Sequence, residues 1–209
     1  MPNRNANAYA LTTLCPLVVD SGRDESPLAI IRDRLDGYPT DHLSPMAKVP
    51  NTYFSRFFVL DDVVYEARPA RLDRLESNYL VFNSDFHGEL EPYLLGMWKE
   101  AEPFIRDVWE FCVGFKEVRD APTFARYIKR CQVETTFYFV GSTDEPLREQ
   151  LKSLYLKQEF AKFAHEHQGW PAAKLQSAFR EFVAKVEPFN ADSPSWRPGA
   201  ATLADTVVP

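Results

Sequence analysis

Residues 53–60, YFSRFFVL, and residues 78–86, NYLVFNSDF, are the two aromatic runs that decide the fold of this chain. Runs rich in aromatic and β-branched residues predict strands, and consecutive strands of this kind predict antiparallel neighbours in one sheet. The first run is apolar at both parities, with Tyr53, Phe57 and Val59 on one and Phe54, Phe58 and Leu60 on the other. Successive strand residues point to opposite faces, so neither face of this sheet is suited to contact with water.

Further elements extend outward from this pair of strands. Two more β-favouring runs predict strands at residues 9–15 and 134–141. Helical spacing and the positions of proline predict helices at residues 27–36, 89–112 with a kink or restart near Ala101, 121–131, 146–167 and 172–186. The fold class is therefore α+β, a ferredoxin-like antiparallel sheet (β-α-β-β-α-β) with an inserted short helix and C-terminal helices.

Composition along the chain predicts its domain organisation. Residues 1–8 are polar and predict a disordered N-terminus, whereas residues 9–145 hold the strands and helices of the ferredoxin-like domain. Residues 146–188 form a C-terminal helical extension. Beyond Pro188 the content of Pro, Ala and Ser rises, which predicts a flexible tail at residues 189–209.

Charge and hydropathy narrow the classes of partner. The 209 residues carry a formal net charge of −6, which repels phosphate backbones, so we expect no nucleic-acid partner. No run reaches the roughly 18 apolar residues that a spanning helix needs, and the N-terminus lacks the pattern of a signal peptide. We therefore expect a soluble, cytoplasmic protein with no membrane partner.

The sequence contains none of the better-marked chemical motifs. Cys15, Cys112 and Cys131 are far apart and lack the spacing of zinc ligands, so we expect small buried hydrophobic residues and no metal. No GxSxG, P-loop, GxGxxG, HExxH or EF-hand pattern occurs, which removes the corresponding hydrolase, nucleotide, dinucleotide and metal classes. No cofactor is indicated by the residues alone.

Arg56 is the most unusual residue of the strands, because a charge in an apolar strand must be paired or must reach water. One interpretation is an anion or carboxylate contact inside a cleft. The alternatives are an ion pair with Asp85 or Glu134, or a position at the edge of the sheet.

Asn83, Asp85 and His87 share one parity at the end of a strand and stand just before a predicted helix, where backbone N–H groups are unpaired. They predict a ligand-binding site together with Arg56. The alternative is a helix-capping turn, in which Asp85 accepts hydrogen bonds from backbone donors and His87 is exposed. A similar choice between ligand cavity and ordinary core applies to a set of aromatic residues, Tyr93, Trp98, Phe104, Trp109 and Phe111.

The order of elements, the strand Tyr53 to Leu60 and the turn Asn83-Ser84-Asp85-Phe86-His87-Gly88 ahead of an amphipathic helix resemble the dimeric α/β-barrel superfamily over residues 9 to 141. This superfamily includes small monooxygenases, chlorite-dismutase-like proteins and dye-decolorizing peroxidases. The resemblance is one of topology, and the turn at residues 85–88 departs from the GxxDG motif of the peroxidases.

Two functions remain open from the sequence. The first is a small-molecule-binding or interaction domain without a marked catalytic set, forming a homodimer through the apolar second face of its sheet and accepting a hydrophobic small molecule. The second is a small oxidoreductase, monooxygenase-like or haem-dependent, that acts on a hydrophobic substrate.

Overall fold

A computed structural model describes residues 3–20, 22–62, 74–141 and 144–200. The chain divides into two compact units, one made of Met1–Pro39 and Ser44–Asp144, the other of Thr40–Leu43 and Glu145–Pro209. Each unit is described by itself below. No helix within the described ranges is both long and apolar enough to span a bilayer.

The first unit is an antiparallel sheet with three helices. The strands are β1 (Arg4–Asn5), β2 (Ala8–Pro16), β3 (Thr52–Asp62) and β4 (Arg74–His87), and the helices are α1 (Pro27–Gly37), α2 (Leu90–Trp109) and α3 (Ala121–Cys131). The four strands lie in the order β1-β2-β4-β3, and every neighbouring pair is antiparallel. The α+β class and the antiparallel sheet are thus confirmed.

Local sequence explains where these helices begin and bend. Ser26 caps α1 by accepting a hydrogen bond from the Ala29 N–H group, ahead of Pro27 at the first helical position. In α2 the helical geometry breaks at Ala101, with φ −134° and ψ 25°, two residues before Pro103. Proline lacks the N–H group that an uninterrupted helix would use there, so the kink occurs where the sequence predicts it.

The core lies between the helices and one face of the sheet. The strand side chains in it alternate along the chain: Leu11, Cys15, Val59, Leu80, Phe82 and Phe86. The aromatic set singled out in the sequence, Tyr93, Trp98, Phe104, Trp109 and Phe111, is buried in this same cluster. These five residues are therefore core, although Phe111 also lines a cavity of about 410 Å³.

The cysteines are also part of the interior of this unit. Cys15 and Cys112 are buried, as the sequence predicts, whereas Cys131 is half-buried, and all three are free thiols. Trp109 Nε1–H donates to Cys15 Sγ at 3.4 Å. Proximity to the Cys112 thiol and burial raise the pKa of Cys15 to about 12, so it stays a protonated, unreactive thiol at neutral pH.

Residues 134–141 do not form the predicted last strand. The chain makes one bridge to β2, at Thr13 and Gln132, and Val133 N–H donates to the Thr12 carbonyl group at 2.8 Å. Beyond that point side chains replace the ladder: Asn3 Oδ1 accepts from Thr135 N–H at 2.8 Å. β1 pairs with the start of β2 along the edge that a continuing strand would need, so the segment has no regular pairing.

The N-terminus and the start of β4 also differ from the sequence prediction. Residues 1–8 are expected to be disordered, but Arg4 pairs with Tyr9 and Asn5 with Ala8 across a turn in which Ala6 has φ +50°. β4 begins at Arg74, inside the charged connector. Most residues of both segments are polar, and backbone pairing with β2 and β3 holds them in place.

The second unit is built on a hairpin of two helices, α4 (Leu147–Glu166) and α5 (Ala172–Val186), joined by a turn in which Gly169 has φ +75°. Buried Lys152 fixes its open end, because its Nζ donates to the carbonyl oxygens of Val186 at 2.7 Å and Pro194 at 2.6 Å. Residues 190–200 have no regular element, and residues 201–209 of the predicted tail lie outside the described ranges.

Candidate ligand site on the second face of the sheet

The sheet brings all four predicted site residues onto one face, which we call the second face because it is turned away from the core. Arg56 of β3 and Thr12 of β2 are the cross-strand partners of Asn83 on β4. Asp85 and His87 follow at alternate positions along the same strand. Three residues of one strand and one of its neighbour therefore lie within a single patch.

Asn83 has an unmatched polar atom at the centre of this patch. Its Nδ2 donates to Thr12 Oγ1 at 2.8 Å. Its Oδ1 is shielded from water and has no hydrogen-bond partner among the described residues. Whichever way the amide is oriented, the single Thr12 hydroxyl group satisfies one end and leaves the other unmatched. A buried polar atom without a partner costs about 1–3 kcal/mol, and Tyr127 Oη and Gln158 Oε1 share this property among the described residues.

Arg56 lies on the edge strand β3 with its side chain exposed. Its guanidinium carbon lies 5.4 Å from the centroid of the Phe58 ring. No carboxylate among the described residues forms an ion pair with it, so the predicted pairing with Asp85 or Glu134 is wrong and the edge position is confirmed. A guanidinium group in this position is open to an acceptor from outside the chain.

Asp85 is half-buried and its main partner is a tyrosine that the sequence does not single out. Desolvation by burial raises the pKa of Asp85, while a hydrogen bond from Tyr138 opposes that rise. Burial and the Asp85 charge in turn raise the pKa of Tyr138 above its usual range. The hydroxyl group therefore remains protonated and donates to the carboxylate.

His87 pairs with a second tyrosine. Tyr53 Oη lies 3.0 Å from His87 Nδ1, and the two rings meet edge to face. The register of β3 against β4 shifts between Thr52 and Phe54, which places a bulge at Tyr53. A bulge changes the direction in which a side chain points. By strict alternation Tyr53 would lie on the core face with Phe57, but the bulge directs it toward His87 on the second face.

The helix-capping interpretation of this turn is wrong. Glu89 occupies the N-cap position of α2, and its side chain makes no capping hydrogen bond. Asp85 instead interacts with Tyr138, and His87 is half-buried beside Tyr53. The three polar residues thus belong to the sheet surface and not to the helix start.

Sequence reasoning missed three members of the patch. Thr12 could have been predicted from the sequence, because it lies two residues before Leu14 on the same strand and therefore on the same face of the sheet. Tyr53 could not have been predicted, since the bulge moves its side chain to the face opposite to the one that strict alternation gives. Tyr138 reaches Asp85 from a segment that the sequence predicts as a strand.

The rest of the second face is apolar. Leu14, Val81 and Phe58 form the next cross-strand row, and Phe54 lies beside Asp85. Phe54 is 48% exposed and Phe58 38% exposed, unusually high for aromatic residues in the middle of a strand. The face therefore offers donors, acceptors and a weakly acidic carboxyl group next to uncovered aromatic surface. Within the described residues no cluster of His, Cys, Asp and Glu side chains could hold a metal ion.

Comparison with known proteins gives no relative for this chain. No family model, no curated protein and no solved structure matches it.

Proposed function

We propose that this chain is a small-molecule-binding protein and that the second face of its sheet is the binding site. The observation that carries the proposal is the Oδ1 atom of Asn83, which has no partner among the described residues and lies on one cross-strand row with the exposed side chain of Arg56. Buried polar groups are normally satisfied, so a ligand that displaces the side chains covering this atom and completes the row explains why the cost is tolerated.

The pair of residues defines the head group of the ligand. Arg56 can only donate hydrogen bonds, and Asn83 Oδ1 can only accept one. A group with an acceptor and a donor side by side, such as a primary carboxamide, matches both. Phe54 and Phe58 supply apolar surface beside this row, so the rest of the ligand is hydrophobic and aromatic.

Benzamide is the simplest probe of this class, and its binding can be followed by saturation-transfer NMR on the full chain. We expect benzamide to bind and N,N-dimethylbenzamide, which has no N–H donor, to bind at least fivefold more weakly. Arg56→Gln weakens benzamide binding, whereas Arg180→Gln, an equal charge change at an exposed position on α5, leaves it unchanged. Equal binding of the two amides would refute the proposal.

A second copy of the chain is the partner that we propose for the apolar rows of this face. In this arrangement the sheet is ferredoxin-like, and residues 132–141 take the place of its last strand. The sheets of the two copies pack face to face around the polar patch. Phe58→Glu places a charge in the apolar contact and is expected to give monomers in sedimentation-velocity runs. Val113→Glu, at a 50% exposed position after α2, is the control that leaves the dimer intact. A wild-type monomer at all concentrations would contradict the dimer.

One observation favours an oxidoreductase as the second candidate. The raised pKa of Asp85, beside the Tyr138 hydroxyl group, is the kind of perturbation found at proton-transfer sites. A haem-dependent form of this activity predicts a Soret band in the purified protein or after addition of haemin. Unchanged haemin absorbance in the presence of the protein would remove the haem-dependent version.

A further inference from the structure

The end of the α4–α5 hairpin at its connecting turn contains a cavity lined by residues of the second unit alone. It has a volume of about 600 Å³ and is lined by the last turns of α4, the connecting turn and the first turns of α5. This volume falls within the range of about 300–1,000 Å³ typical of small-molecule sites. Every lining residue lies between Phe160 and Phe179, so one continuous segment of the chain builds the cavity.

Five of its eleven lining residues carry aromatic rings. Phe163 is buried at the base, and its ring centroid lies 5.9 Å from that of Phe179. Phe160 and Phe179 remain 51% and 44% exposed at the rim. The His167 ring stacks on Phe163 at 4.2 Å and contacts Trp170 at 4.3 Å. Flat aromatic surface on several sides suits a planar aromatic ligand.

His167 gives this apolar wall a defined polar atom. Its Nδ1 lies 2.8 Å from the Phe163 carbonyl oxygen. A carbonyl oxygen can only accept, so Nδ1 carries the hydrogen and Nε2 of the neutral ring has a free lone pair. The cavity therefore presents a hydrogen-bond acceptor among its aromatic rings.

The charge beside the cavity excludes one class of ligand. Lys174 Nζ lies 3.7 Å from the centroid of the Trp170 ring, so a cation already occupies one face of that ring. A second cation would be repelled, although aromatic cages of this kind otherwise attract cations. We propose that this cavity binds a neutral aromatic alcohol, whose ring packs against the exposed faces of the phenylalanines and whose hydroxyl group donates to His167 Nε2.

Equilibrium dialysis of 2-naphthol against the full-length chain tests this proposal, with 2-methoxynaphthalene as the matched compound without a donor. We expect saturable binding of one 2-naphthol per chain, at least fivefold tighter than binding of the methoxy compound. Phe179→Ala should weaken 2-naphthol binding tenfold or more. Phe189→Ala, at a fully exposed position outside the cavity, should leave it unchanged.

His167→Phe separates the hydrogen bond from the stacking. It keeps an aromatic ring in the wall and should bring the affinity for 2-naphthol down to that for 2-methoxynaphthalene. Circular dichroism checks that each variant retains its helices. Absence of saturable binding would overturn the proposal, as would equal affinity of the wild type for both compounds. Self-association that Phe179→Ala abolishes would also overturn it, because a second copy would then be the occupant of the groove.

Discussion

Asn83→Leu tests whether the polar patch on the second face lowers the free energy of unfolding while it provides ligand binding. The substitution removes the unmatched Oδ1 atom, whose burial without a partner costs about 1–3 kcal/mol. It also removes the hydrogen bond from Nδ2 to Thr12, worth about 0.5–1.5 kcal/mol. The half-exposed Thr12 hydroxyl group can bond to water instead. The difference predicts a variant that is more stable by about 1 kcal/mol and no longer binds benzamide.

Urea unfolding measures this change if the signal comes from the first unit alone. Trp98 and Trp109 lie in that unit, so Trp170 and Trp196 of the second unit are changed to Phe in both proteins. With an m-value of about 2 kcal/mol/M, a gain of about 1 kcal/mol moves the midpoint up by about 0.5 M.

Thr12→Val is the control, because it leaves both polar atoms of the Asn83 side chain without a partner. We expect it to destabilise the wild-type background by about 1 kcal/mol and to have little effect in the Asn83→Leu background. A midpoint for Asn83→Leu that is lower than that of the wild type would refute the reasoning, since it would mean that Oδ1 is already satisfied.

Three further predictions concern packing and charge. Trp109→Ala should lower the free energy of unfolding by about 3–5 kcal/mol in urea titrations, because it empties the centre of the core. Lys152→Ala should lower the melting temperature of the second unit more than Lys152→Met does, because Met keeps the apolar stem packed although both lose the helix cap. Asp85 has a raised pKa in the fold, so its carboxyl group binds more protons in the folded than in the unfolded chain above about pH 4, and its contribution to the free energy of unfolding falls as pH rises through that window. Asp85→Asn should lack this fall when the two proteins are compared by urea unfolding between pH 4 and pH 7.

The strands and helices whose apolar residues recur at regular intervals could be predicted from the sequence. The aromatic run at residues 53–60 forms β3, the apolar stripe of α2 is buried, and α3 begins at Ala121 after an Asp120 cap. The shared parity of Asn83 and Asp85 places them on one face, because a strand alternates strictly. These features depend on local pattern alone.

The remaining features depend on competition between segments that are far apart in the sequence. Residues 134–141 have every local mark of a strand, but β1 takes the neighbouring edge and Asn3 satisfies the Thr135 N–H group. The contact of Tyr138 with Asp85 follows from that displacement. The bulge at Tyr53 is equally invisible, since no glycine or proline marks it. Local sequence patterns do not indicate which of two distant segments pairs with the edge of a sheet.

The central claim is that Asn83 and Arg56 together bind the head group of a ligand. Titration of benzamide into isotope-labelled protein, followed at the side-chain amide resonance of Asn83 and the Nε–H resonance of Arg56, tests it most directly. We expect both resonances to shift saturably with one common dissociation constant. If both stay in place while resonances elsewhere move, the second face is not the binding site.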